Sequence, residues 1–369
     1  YNMLSEFIYE VNKQRKRLTI RQLVEKFIDR GLLDLFPVWM CSPESTSTIF
    51  PLQKDIFDVI IFDEASQCKI EKAIPSIIRG KKVIVAGDEK QLPPTNFFMA
   101  SFDDEDQDDE ELSEEEELLN EESLLVRAKK IFPGKRLIYH YRSKHPELIN
   151  FSNHAFYNGY LRIIPRNKIK VNSPITYIQT KGLWRDRCNI EEAEQVVILL
   201  KKLLKNNEKG YTFGIITFNV NQMDAIEEAI EKAAQDDPLF GELIDLEKNR
   251  YEDDQFIGLF VKNIETVQGD ERDIIIFSVG YDYDETRKFR YSFGPLNGIY
   301  GPNRLNVAIS RAKEKIYVFS SFEPTNLKYE GRYNGPKLLR KYLEYCKYVS
   351  EQNYELSYTI LKSLNETEI

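Results

Sequence analysis

Residues 58–67 read DVIIFDEASQ. Val59 to Phe62 form an apolar run of strand length without polar alternation, the pattern of a strand covered on both faces of a sheet. The run ends on two carboxylates, Asp63 and Glu64. A doubly wound fold gathers its ligand at the carboxyl ends of such strands. Hydrolysis of a nucleoside triphosphate needs Mg²⁺ near the phosphates and a group that orients the attacking water. Asp63 suits the metal and Glu64 the base, although an isolated pair would be better explained as a strand end followed by a solvated turn.

Working outward, similar runs predict strands at Val38–Cys41, Val83–Ala86, Phe213–Thr217, Ile274–Ser278 and Lys315–Phe319. Helical patterns lie between them, which gives an α/β fold with parallel sheets and crossover helices. One helix opens at Asn189 with Glu192 three residues on, a capping-box spacing, and runs acids first and lysines last. Another covers Pro336–Val349. Residues 1–16 and 19–27 read as helices, with Gly31 as a stop.

The chain of 369 residues exceeds one usual core, so two domains are expected, 1–133 and 134–369, with the boundary at Pro133–Gly134. No apolar run approaches the roughly 20 residues of a membrane span. Tyr1 in place of an initial Met suggests a piece of a longer protein. Cys41, Cys68, Cys188 and Cys346 stand far apart and read as reduced thiols of a cytoplasmic protein. His140, His145 and His154 fit no common zinc spacing.

Net charge is −9, yet residues 103–122 hold 14 of the 60 acidic residues and no basic one. The other 46 acidic residues face 51 basic ones, a balance of +5. The body is mildly basic and the acidity local. The block reads as a solvated insertion. A sharper alternative is a mimic of a phosphate backbone.

Four further blocks accompany the first. Residues 81–95 read KKVIVAGDEKQLPPT, in which Gly87 permits a sharp turn and Gln91 can reach a phosphate or water. Residues 139–153, YHYRSKHPELINFSN, place Arg142 beside Tyr141. Residues 265–278, ETVQGDERDIIIFS, pass through a turn at Gly269 to Glu271 and a strand. Residues 303–321, NRLNVAISRAKEKIYVFSS, set Arg304 and Arg311 seven apart, on one face of a short helix.

In this order the five blocks resemble the motifs of superfamily 1 helicases, in the branch of the nonsense-mediated-decay and replication helicases and their bacterial relatives. The resemblance covers residues 40–322. It implies two RecA-like P-loop NTPase-type domains, the first incomplete, with ATP and Mg²⁺ as cofactors and single-stranded DNA or RNA as the track. Asp63 would bind Mg²⁺, Glu64 activate water and Gln91 sense the γ-phosphate. Arg142 and Arg311 would act as arginine fingers, Tyr141 stack on adenine, and Glu271, beside Gly269, bond the ribose. Strand contacts would come from loops after strands, at Ser42 and Pro43, Pro94 and Thr95, Thr217 and Asn219, and Thr266 and Gln268. Each could equally be an ordinary turn.

The phosphate cradle GxxxxGK[ST] is missing: Gly80-Lys81 is followed by Lys82, and Gly134-Lys135 by Arg136. Either an upstream part of the same polypeptide supplies it, or the chain is a non-hydrolysing module that binds nucleic acid or a partner. A nuclease reading finds no convincing carboxylate-lysine set.

Overall fold

The computed structural model describes residues 3–94, 123–164, 173–289, 291 and 293–365. The acidic block and Thr95 lie outside the described residues. Two compact units divide between Gly134 and Lys135, except that Lys90–Leu92 belong with the second.

In the first unit, Thr19 and Gln22 form a reciprocal capping box that starts the helix Ile20–Phe27. Ser42 caps Pro43–Ile49 and Ser123 caps Leu124–Ile131. Strands β1 (Phe57–Phe62) and β2 (Gly80–Val85) pair in parallel through the helix Ile70–Ile78. A core of Val24, Phe27, Leu32 and Phe50 is joined to β1 by edge-on packing of Phe50 on Phe57, with ring centres 5.0 Å apart. Buried Arg79 donates to the carbonyls of Phe50, Pro51 and Pro75, so its cation ties the segment before β1 to the helix Ile70–Ile78.

The strand expected at Val38–Cys41 does not form. Trp39 turns inward onto Phe50 and donates its Nε1–H to the Phe36 carbonyl at 2.8 Å, while Val38 and Met40 are 78% and 95% exposed. The alternation of a strand is present; a neighbouring strand to bond with is not, among the described residues. Ser42 and Pro43 consequently open a helix instead of following a strand.

In the second unit two short parallel pieces, β3 (Tyr139–His140) and β4 (Arg162–Ile163), pair with each other. Strand β5 (Ile175–Gln179) enters the main sheet, followed by β6 (Phe213–Thr217). A hairpin of β7 (Tyr251–Glu252) and β8 (Gln255–Phe256) precedes β9 (Phe260–Asn263), β10 (Arg272–Ser278) and β11 (Ala312–Ser320). The five-stranded sheet runs β5-β11-β10-β6-β9, parallel throughout. Ile274 and Ile276 of β10 pack with Val196, Leu200 and Ile226 on one face. Ile275 and Phe277 face Phe151, Leu339 and Tyr342 on the other. Two buried faces explain the unbroken apolar runs.

Two local expectations are corrected. Asn189 caps the helix Ile190–Lys205 by accepting from the Glu192 N–H, but the Glu192 carboxylate does not return to it. It is drawn into the interior by the Ser278 hydroxyl at 2.6 Å and the Gly280 N–H at 2.8 Å. The short helix Gly301–Ile309 ends before Arg311, so Arg304 and Arg311 do not share its face. Arg311 instead turns back and donates Nε–H to the Val307 carbonyl at 2.6 Å, a cation at a helix carboxyl end.

Candidate nucleotide and nucleic-acid site

In the first unit, β1 delivers Asp63 and Glu64, both exposed, to its carboxyl end. The turn is held to β2 by Ala86 N–H donating to Phe62 at 2.8 Å and Ala65 N–H donating to Ala86 at 2.9 Å. Glu64 sits at φ 49°, in the left-handed region that non-glycine residues seldom adopt. Its N–H donates to Asp63 Oδ1 at 2.9 Å. A Cβ on Gly87 would stand 3.0 Å from the Ala65 nitrogen and 3.1 Å from that of Ser66, so only glycine lets the two strand-end turns close together.

The Ser66 hydroxyl is buried without a hydrogen-bond partner among the described residues. An exposed carboxylate and a nearby orphaned hydroxyl are hard oxygen donors. Among the described residues no three His, Cys, Asp or Glu gather as a cage. That donor set fits Mg²⁺, which is held by one or two carboxylates and completes its shell with phosphate and water.

In the second unit the predicted residues fall into two groups. Arg142 Nε lies 2.5 Å from Glu271 Oε2, and Lys313 Nζ lies 2.8 Å from Glu271 Oε1. Burial draws the Glu271 carboxyl up, but hydrogen bonds from Lys313 and Arg142 outweigh it and hold the group below its ordinary value. Arg142 also donates to the Ser310 carbonyl at 3.5 Å, and Arg311 Nη2 donates to the Ser310 hydroxyl at 3.2 Å. Ser310 therefore joins the two arginines. Arg311 further donates to the Asp270 carbonyl at 3.3 Å, beside Gly269, whose φ is 89°. Tyr141 projects outward at 87% exposure.

The Arg142 loop is pinned from both sides. His140 Nε2 accepts the Ser143 N–H at 3.0 Å, which requires a neutral ring at that nitrogen. Burial, with Arg142 adding to it, lowers the His140 pKa to about 4 and keeps it neutral. Ser143 Oγ–H donates to Ala312, and Lys144 N–H to Lys313, at the start of β11.

The second group gathers around Gln91. Gln268 Nε2 is 3.5 Å from Gln91 Oε1, and Gln268 Oε1 is buried without a partner among the described residues. Thr266 is bonded back to Asn263. Thr217 is fully buried and donates to the Asn219 carbonyl at 2.8 Å, and Asn219 caps the helix Val220–Asp236. These two shape their turn from within. Ser42 likewise caps its own helix, and Pro94 is buried.

The sequence reading passed over His140, Lys313, Asn303 and Asn306 as contributors. All four stand inside the quoted blocks, but the partners of Lys313, Asn303 and Asn306 are remote in the chain, and His140 serves a backbone N–H three residues on, which no pattern of side chains reveals.

A parallel α/β sheet, a carboxylate pair at one strand end and paired arginines are what a nucleotide-dependent motor is built from. Two families described as AAA domain match the chain, one over residues 120–323 and one over 11–98. Over 330 residues the chain is 40% identical to an uncharacterized ATP-dependent helicase of Mycoplasma pneumoniae, covering 88% of this chain and 28% of that protein. A second uncharacterized ATP-dependent helicase, of Mycoplasma genitalium, is 37% identical over 362 residues, covering 96% of this chain and 31% of its own length. Among solved structures the PRRSV helicase aligns with 14% identity and a TM-score of 0.31, over 71% of this chain and 34% of that one. The chain belongs to the superfamily 1 helicases, with matches to AAA domains over both of its parts. It spans under a third of the length of the two bacterial relatives. Among the described residues no helix is long and apolar enough to cross a membrane.

Proposed function

We propose that this chain is the C-terminal motor portion of an ATP-dependent helicase or translocase acting on single-stranded DNA. The observation that carries the reading is the pair of arginines joined through Ser310 and set beside the Gly269–Glu271 turn. A guanidinium held there is suited to charge that develops on a transferring phosphoryl group. ATP would supply that group, with Mg²⁺ on Asp63. Glu64 would take the proton of the attacking water, and Tyr141, exposed and unburdened by packing, would stack on the base. Gln91 would report the γ-phosphate state, and Gln268, Thr266, Thr95, Ser42 and Pro43 would line the strand path, with Thr217, Asn219 and Pro94 shaping the turns behind it.

The phosphate cradle would come from an upstream part of the same polypeptide. Support comes from the chain's small share of its relatives and from β1 and β2, where Val59, Ile61 and Ile84 are exposed apolar side chains suited to burial under further sheet or helix. The chain alone would then turn over no ATP, and 1–133 and 134–369 would be the two motor domains. We place the protein in the cytoplasm, in keeping with four free cysteines.

The test is ATP turnover by the full-length gene product, with and without single-stranded DNA, compared with Glu64→Gln. Turnover that rises with DNA and collapses in the variant is expected. No turnover with either DNA or RNA would favour a non-hydrolysing binding module.

A further inference from the structure

One short helix holds two of the proposed functional groups at once. Asn303 Nδ2 donates to the Gln91 carbonyl at 2.7 Å. Asn306, almost wholly buried, donates from Nδ2 to the Lys90 carbonyl at 2.8 Å and to the Tyr157 hydroxyl at 2.9 Å, which uses both of its amide hydrogens. Leu92 is buried in the core that also contains Leu305 and Ala308 of this helix. Three successive residues are thus fixed, Lys90 and Gln91 by their carbonyls and Leu92 by its side chain. The Gln91 amide is left facing Gln268. At its other end the same helix offers the Val307 carbonyl to Arg311.

We infer that Asn303 and Asn306 are positioning residues that set Gln91 against Gln268 and tie its placement to that of Arg311. The inference rests on the proposed function and adds a device to it. Neither asparagine has a proton to move or a charge to offer a phosphate. Their value lies in register: a backbone carbonyl clasped by a buried amide cannot slide without leaving that amide unpaired. A displacement of about 1 Å in a reacting group can cost a hundredfold in rate. Because one helix carries both grips, any shift that re-aims Arg311 carries the Gln91 segment with it. Nucleotide state, read by Gln91 and Arg311, would thereby reach the Thr266–Gln268 loop proposed to touch the strand.

The test uses the full-length gene product with Asn303→Ala and, separately, Asn306→Leu. Hydrogen–deuterium exchange across residues 88–94 is measured with no nucleotide present, and ATP turnover with and without single-stranded DNA. Exchange in that segment should rise about tenfold, the DNA-stimulated to unstimulated ratio should fall about fivefold, and the nucleotide KM should move less than about twofold. Asn303→Ala acts at a partly exposed residue and guards against misfolding at the buried Asn306. Unchanged exchange and an unchanged ratio in Asn303→Ala would overturn the inference, as would equal loss of both turnover values. A wild-type protein whose turnover ignores nucleic acid would instead sink the proposed function, and this inference with it.

Discussion

Arg142 and Glu271, 129 residues apart in sequence, meet at 2.5 Å, and the other Glu271 oxygen is held by Lys313. Both carboxylate oxygens thus already serve cations, and the Glu271 carboxylate holds the Arg142 guanidinium in place. Substitution Glu271→Gln keeps the shape and removes the charge. Turnover by the full-length protein should fall about tenfold to a hundredfold, with the nucleotide KM little changed. A rise in KM alone would assign Glu271 to nucleotide binding rather than to Arg142.

Arg311 is expected to be costly in two separable ways. It is buried, and its guanidinium serves the carbonyls of Val307 and Asp270 and the hydroxyl of Ser310. Arg311→Ala should lower the unfolding free energy by about 2 kcal/mol through these unpaired acceptors. It should also reduce full-length turnover by about 10³ if the residue serves as a finger. Arg311→Lys should leave most of the kinetic loss in place, because an ammonium cannot reproduce the planar fork. Recovery of turnover in the lysine variant would argue for charge alone.

Gly87→Ala tests the closure of the first unit's strand-end turns. The added carbon would meet the Ala65 nitrogen at 3.0 Å and the Ser66 nitrogen at 3.1 Å, with Leu125 Cδ2 at 3.1 Å on another side. Backbone cannot swing aside as a side-chain tip does, so the Asp63-Glu64 turn must move. A loss of about 1–3 kcal/mol is expected in urea unfolding. An unchanged midpoint would show that the turn yields freely.

How far the sequence could be read follows from where each residue finds its partners. Phe213–Thr217 and Ile274–Ser278 were legible because burial on both faces writes itself as an unbroken apolar run, whereas Val59–Phe62 carries the same run although Val59 and Ile61 are exposed among the described residues. Strands β5 and β9 escaped the reading: ITYIQ and FVKN mix polar with apolar residues at the margins of the sheet. Val38–Cys41 has the right composition but no strand beside it among the described residues. The Arg142–Glu271 contact joins two blocks that were each recognisable, yet their meeting depends on the β10–β11 register and no spacing encodes it. Glu192 was misread for a similar reason. Its position three residues after Asn189 fits a local cap, whereas Ser278 and Gly280, far along the chain, take the carboxylate.

That same carboxyl yields a pH test with a defined sign. Burial pushes Glu192 up to about 7; hydrogen bonds from Ser278 and Gly280 oppose the rise, and nearby Asp282 adds to it. A carboxyl whose folded pKa lies above its unfolded value binds its proton more tightly in the native state. Its contribution is full below about 4.3 and is lost as pH climbs through about 7. His140 runs the other way: lowered to about 4 by burial and by Arg142, it favours the fold above about 6.5 and loses that contribution as pH falls. The two slopes partly cancel in the wild type. Glu192→Gln leaves an amide that does not titrate, so the variant should gain on the wild type as pH rises from 4.5 to 8, by roughly 3 kcal/mol at most. Its own stability should climb between pH 4.5 and 6.5, where the His140 slope is no longer offset. Urea unfolding of both proteins at four pH values measures this directly, and parallel curves would mean that the buried carboxyl ionises as readily in the fold as in the unfolded chain.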